Sequence, residues 1–184
     1  LVNPVANIEL PKSAKPRTRR LVANELSVLI SNAEKQKNKY ISTIIQFALE
    51  TGMRRSEILK LTWNDVNLDT GIASLYDTKN GDDRHIPLTK SAIKLLSNLT
   101  QSSEFVFPIS TNCLRLAWER CRNKPNIKGL RFHDLRHEAV SRFFEMGLSV
   151  PEVALISGHK DVRQLFRYTH LKPENLIAKY SNIF

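Results

Sequence analysis

The sequence predicts a mainly α-helical domain that carries a small antiparallel β-sheet, an α+β fold. Two observations lead there. Apolar residues recur at helical spacing over most of the chain from Leu21 onward. The middle stretch, WNDVNLDTGIASLYDTKNGDDRHIPLT, breaks that period with two turn signals, Asp69-Thr70-Gly71 and Asn80-Gly81-Asp82. A length of 184 residues with 41% hydrophobic content allows one domain with a real core.

The elements follow in order. Residues 1–20 hold Pro4, Pro11 and Pro16 and end in the basic cluster KPRTRR. They read as an extended linker, and residues 21–184 as the folded domain. Leu21, Val22, Leu26, Leu29 and Ile30 mark a first helix. After the polar run NAEKQKNK, the segment YISTIIQFALETGM is apolar enough to be a central helix, with Gly52 as its stop. RSEILKL gives a short helix. The turn signals then divide three short strands, with Lys79 at the tip of the second hairpin. Helices return over about 90–99, 112–122, 133–146, 150–157 and 161–167. A last short one follows Pro173, a residue that suits a first helical position.

Bulk properties narrow the function. No apolar run approaches the ~18–20 residues that span a bilayer, and the first twenty residues lack the apolar centre of a secretion signal. A cytoplasmic location is expected. The formal charge is +10, which a fold does not need and which favours a polyanion, most commonly nucleic acid. Cys113 and Cys121 have no partner at zinc-ligand spacing and read as reduced structural thiols.

The stretch HDLRH, 133–137, poses the sharpest question. Two histidines four apart, with an acid beside the first, come close to the H-E-x-x-H pattern of zinc hydrolases. However, the acid is Asp134 rather than glutamate, and Arg136 would bring a permanent positive charge to any zinc held there. His133 and Arg136, three apart, share a helix face and suit a phosphate better. Other phosphate-handling groups interrupt the apolar pattern elsewhere: Arg54 in TGMRRSEIL, Lys79 in DTKNGDDRHIPL, His159 in ISGHK and Tyr168 in LFRYTH.

Taken together and in this order, TGMRRSEIL, the lysine hairpin, HDLRH, SGHK and RYTH resemble the motif set of the tyrosine recombinases of the phage-integrase family. Each motif alone is weak; the ordered set, covering nearly the whole chain from Leu21, is specific. The resemblance implies that fold, and it implies site-specific DNA cleavage and rejoining by transesterification. A tyrosine oxygen attacks phosphorus, leaving a 3′-phosphotyrosyl link and a free 5′-hydroxyl, so bond energy is kept and no ATP is needed. Arg54 and Arg136 match the family's two arginines, planar forks suited to the charge that builds on phosphate oxygens, so neither metal nor other cofactor is expected. Lys79 matches the general acid for the leaving oxygen, and His133 a histidine that assists proton handling at the tyrosine. His159 matches a donor to the phosphate, Glu57 a bracing acid, and Tyr168 the nucleophile. Arg84 and Lys160 are candidates for DNA-backbone contacts, with a structural contact as the alternative for Arg84.

The resemblance also implies that residues 1–20 are the linker from an absent N-terminal core-binding domain. It implies a double-stranded DNA partner, and a homotetramer on DNA in which the tail from Leu171 exchanges between protomers, with a monomer when free. Competing assignments stay in view. Arg55 adjoins Arg54; Lys60 and Lys90 compete with Lys79; Tyr40, Tyr76 and Tyr180 compete with Tyr168. His137 reads as structural, His85 and His170 as ordinary residues, and Trp63 and Trp118 as packing anchors. The rival functions are a degenerate homologue that binds DNA without cutting it, a zinc hydrolase built on HDLRH, and, ranked lower, a type IB topoisomerase.

Overall fold

The structure is a computed structural model that describes residues 17, 19–22, 24–76, 83–123 and 127–169. Lys79, expected at a hairpin tip, the tail with the helix expected after Pro173, and the expected linker before Arg17 lie outside the described residues.

Seven α-helices and three strands are described: α1 (Glu25–Glu34), α2 (Tyr40–Thr51), α3 (Arg55–Lys60), β1 (Val66–Asn67), β2 (Ile72–Leu75), β3 (Arg84–Pro87), α4 (Lys90–Ser97), α5 (Thr111–Asn123), α6 (Asp134–Glu145) and α7 (Val150–Ser157). A 3-10 turn at Trp63–Asp65 precedes β1, and a 3-10 helix at Val162–Tyr168 follows α7. No described helix is long and apolar enough to cross a membrane.

The centre is α2. Ile41, Ile44, Ile45, Phe47 and Ala48 are essentially fully buried, and the helix packs against α1, α4 and α6. A helix apolar on nearly every side has to be enclosed on nearly every side. Gly52 stops it at φ +62, and a Cβ there would sit 3.3 Å from the Phe143 ring of α6. That close approach brings the end of α2 against α6.

The sheet is antiparallel in the order β1-β2-β3. Its register pairs Ala73 with Ile86, Ser74 with His85, and Leu75 with Arg84. Strand side chains alternate between faces. Ala73, Leu75, Arg84 and Ile86 therefore share the buried face, while Ser74 Oγ and His85 Nδ1 meet at 3.0 Å on the exposed one. The buried face of β3 packs on α7.

Two segments depart from the sequence expectation. The stretch expected as an α-helix at 161–167 is a 3-10 helix, opened by the Asp161 side chain accepting from the Arg163 N–H. Its three-residue period eclipses positions i and i+3, so Leu165 and Tyr168 point inward together at 0% and 4% exposure. The first helix starts at Glu25 rather than Leu21. The residues before it pack onto α6: Arg20 makes a bidentate pair with Glu138 and reaches Glu145, and Arg17 pairs with Asp134 at 3.0 Å. Basic residues that the sequence alone leaves as a solvated linker hold carboxylates of the helix that carries HDLRH.

Candidate active site

Three arginines from three elements converge on the C-terminal end of α7. Arg54 is the N-cap of α3; its guanidinium reaches Glu57 Oε1 at 2.7 Å and the Gly158 carbonyl at 3.3 Å. Arg84, from β3, donates to the Ser157 carbonyl at 2.9 Å and pairs with Glu57 Oε2 at 2.8 Å. Arg136, on the first turns of α6, donates to the Gly52 carbonyl at 2.6 Å and to the same Ser157 carbonyl at 2.5 Å. These oxygens are the unsatisfied carbonyls at the ends of α2 and α7, where helix partial charge is negative. Two helix C-termini thus hold the guanidinium groups.

Glu57 is the carboxylate inside this cluster. Burial pushes its carboxyl up, but Arg84, the Arg54 N–H and the Arg54 guanidinium outweigh that and hold it below the ordinary range. Arg84 is lowered by burial first, with Glu57 partly restoring it. Burial first, then Arg54, pulls Arg136 down to about 9, which leaves it charged at neutral pH. Guanidinium charge here exceeds carboxylate charge, an arrangement that favours an anion with several oxygen acceptors.

The histidines and Tyr168 adjoin this cluster. His159 Nδ1 lies 2.6 Å from Ser157 Oγ. That hydroxyl already donates to the Val153 carbonyl at 2.5 Å, so the imidazole donates through Nδ1 and keeps Nε2 as its acceptor. Burial, then Arg136 and Arg54, lowers His159 to about 3. His133 is exposed at the start of α6, its proton affinity lowered by desolvation and by Arg136. Its ring meets the ring of His137 edge-on, 4.9 Å between centroids. The His137 ring in turn stacks on Tyr168 at 5.8 Å and 25°, and His137 Nδ1 is hydrogen-bonded to the Tyr168 hydroxyl. Arg167 lies over the Tyr168 ring, 5.1 Å from its centroid.

An open cleft of ≈ 380 Å³, lined by Arg54, Arg55, Ser56, Arg131, Phe132 and His133, lies beside the cluster. Arg54 and Arg55 are now told apart. Arg54 turns toward Glu57 and Gly158, whereas Arg55 is exposed on the first position of α3.

The structure thus gathers Arg54, Glu57, His133, Arg136, His159 and Tyr168 in one region, and leaves Lys160 exposed after α7. Arg84, expected as a DNA-backbone or structural contact, is 7% exposed and committed to Glu57 and Ser157. Strand parity turns it inward, since Arg84 and Ile86 lie on the same, core-facing side of β3. His137, read from the sequence as structural, is hydrogen-bonded to the tyrosine hydroxyl. Its spacing of four from His133, the same spacing that suggested zinc, places both rings on one helix face. Asp134 takes no part as a base there: its carboxylate caps the Arg131 N–H at 2.7 Å and binds Arg17. Among the described residues no three His, Cys, Asp or Glu side chains group as metal ligands.

The phage integrase family matches residues 19–175. A shufflon-specific DNA recombinase of Escherichia coli is 42% identical over 179 residues, which cover 96% of this chain and 46% of that protein. The solved catalytic domain of bacteriophage HP1 integrase aligns with a TM-score of 0.71 at 23% identity, over 88% of this chain and 93% of that one. An integrase of transposon Tn1549, solved with circular intermediate DNA, aligns with a TM-score of 0.68 at 18% identity, over 92% and 68%. The chain spans about half the length of the curated relatives it matches. A family match that runs from the basic cluster to beyond Tyr168, with a relative this similar over almost the whole chain, places the chain in the phage integrase family.

Proposed function

We propose that this chain is the catalytic domain of a site-specific DNA recombinase of the integrase type. It cleaves and rejoins double-stranded DNA through a 3′-phosphotyrosyl intermediate on Tyr168. The observation that carries this reading is the gathering of Arg54 and Arg136 on the Gly158 and Ser157 carbonyls, with His159 on the Ser157 hydroxyl, beside a buried tyrosine whose hydroxyl is held by a histidine. A phosphodiester seated against Arg54 brings acceptor oxygens to a cluster with excess positive charge. Attack by the Tyr168 oxygen then puts added charge on phosphorus-bound oxygens that fixed guanidinium groups face.

In this reading Lys79 protonates the leaving 5′-oxygen. His133, at the cleft and against His137, assists proton handling. His159 donates to the phosphate once the anion has raised its proton affinity enough to protonate Nε2. Glu57 braces Arg54 and Arg84. The exposed Lys160 contacts the DNA backbone. The protein works without a cofactor, in the cytoplasm of a bacterial or phage-infected cell. It assembles as a homotetramer on DNA, with the tail from Leu171 exchanged between protomers. Residues 1–20 lead from an N-terminal core-binding domain.

The test is a nicked suicide substrate, on which a released fragment prevents rejoining. The full-length protein is expected to form a covalent DNA adduct that resists denaturation, and Tyr168→Phe to abolish it. An adduct unaffected by Tyr168→Phe would remove the nucleophile assignment. DNA binding with no adduct from the full-length protein would favour the degenerate homologue.

A further inference from the structure

We infer that His137, rather than His133, takes the proton from Tyr168 as its oxygen attacks phosphorus, an assignment that rests on the recombinase reading above. The hydroxyl is bonded to His137 Nδ1, and the two rings lie near parallel. His133 touches His137, not the hydroxyl. Tyr168 is 4% exposed, so bulk water is largely kept from the oxygen, and a proton leaving it needs an acceptor built into the protein.

The surroundings keep that acceptor empty until it is needed. His137 faces His133, Asp134 and Arg136 from its own helix, Arg167 and Tyr168 from the 3-10 helix, and His159 from the turn after α7. Asp134 is the carboxylate in this set, and Arg17 already binds it. Burial first, then His133, lowers His137 to about 4, while burial raises Tyr168 against the pull of Arg167 and Arg136. At neutral pH the pair is therefore a neutral imidazole and an intact phenol, and the phenol O–H donates to Nδ1. A phosphodiester in the site adds negative charge, which raises the imidazole's proton affinity and so favours transfer in the direction attack requires.

The step balances. The Tyr168 oxygen forms a bond to phosphorus and the bond from phosphorus to the 5′-oxygen breaks. The phenol proton passes to His137 Nδ1, and the leaving oxygen takes a proton from the general acid proposed above, Lys79. In rejoining, a 5′-hydroxyl attacks, His137 returns its proton to Tyr168, and the acid is reloaded.

The experiment measures single-turnover cleavage of a suicide substrate by the full-length protein. His137→Asn keeps a hydrogen-bonding atom near the Nδ1 position but cannot act as a base. It is expected to slow cleavage by about 100-fold or more, within the usual range for a lost general base, with DNA affinity and melting temperature near wild type. Site-specific fluorotyrosine at position 168, whose phenol is more acidic, should recover a large part of that loss. A 5′-bridging phosphorothiolate, which relieves loss of the acid, should not. The assignment is overturned if His137→Asn cleaves within about 3-fold of wild type, or if its defect is the same with tyrosine and fluorotyrosine, as a purely structural role predicts. It also fails if His133→Asn alone shows the fluorotyrosine-sensitive loss. If the wild-type protein forms no Tyr168 adduct at all, the recombinase reading itself falls, and this assignment with it.

Discussion

Arg84 and Arg136 share a single acceptor: both guanidinium groups donate to the carbonyl of Ser157, at 2.9 and 2.5 Å. One arginine arrives from a strand and the other from a helix, and the oxygen belongs to the last residue of α7. Two cations on one neutral oxygen repel each other. The arrangement holds because Glu57 lies on the other side of Arg84 and because helix ends carry negative partial charge. In the proposed function this shared carbonyl lies at the floor of the phosphate site.

Gly158 should tolerate no side chain. It sits at φ +67, and a Cβ there would come within 1.8 Å of Arg84 Nη1. Gly158→Ala therefore combines a left-handed penalty of about 1–2 kcal/mol with displacement of Arg84. Chemical denaturation should show a loss above that penalty alone, and cleavage should fall further than stability accounts for.

Glu57→Gln should destabilise the free protein by about 2–4 kcal/mol, since it leaves one buried and one half-buried guanidinium without a carboxylate. Added sulfate should recover more stability in the variant than in the wild type, because an anion that binds only the folded cluster stabilises it by mass action. Thermal melts with and without sulfate check this; equal recovery would count against an anion site at the cluster.

The linker contact divides into a strong and a weak half. Glu138 has a side chain 5% exposed and is paired with Arg20 and Arg142, whereas the Glu145 side chain is 53% exposed. Glu138→Gln should cost about 2–3 kcal/mol, and Glu145→Gln less than about 0.5 kcal/mol. Denaturant midpoints of the two variants, and of Arg20→Ala, would measure the difference.

Acid should loosen the fold before its carboxylates titrate. His137 and His159 are lowered from 6.5 to about 4 and about 3. Between pH 6.5 and those values the unfolded chain binds more protons than the folded one, so stability falls as pH falls. From pH 6.5 to 5 the loss should be roughly 1.5 kcal/mol for each ring. The carboxyls of Glu57 and Glu138 are held below their ordinary 4.5, so their contribution is lost only at lower pH. Urea unfolding at pH 7 and pH 5 tests the window, and His159→Asn should flatten the slope.

Most of the architecture was legible because it rests on local pattern. The period of α2, its glycine stop and the boundaries of α7 follow from residues adjacent in sequence. The site was legible only as motifs in order. The inward turn of Arg84 follows from the two-residue period of β3, which it shares with Ile86, but the carboxylate and carbonyl it meets there do not. His137 read only as structural because its partner, Tyr168, lies thirty-one positions away in sequence and is brought close only by the 3-10 helix. Backbone acceptors such as the Ser157 and Gly52 carbonyls leave no mark on a sequence, since every residue has one.

The most direct test is to trap the full-length protein on a suicide DNA substrate in EDTA, digest the complex, and map the modified residue by mass spectrometry. The account predicts a single phosphotyrosyl link on Tyr168, formed without divalent metal. A link on Tyr40, Tyr76 or Tyr180, or cleavage that requires metal and leaves no protein–DNA bond, would contradict it.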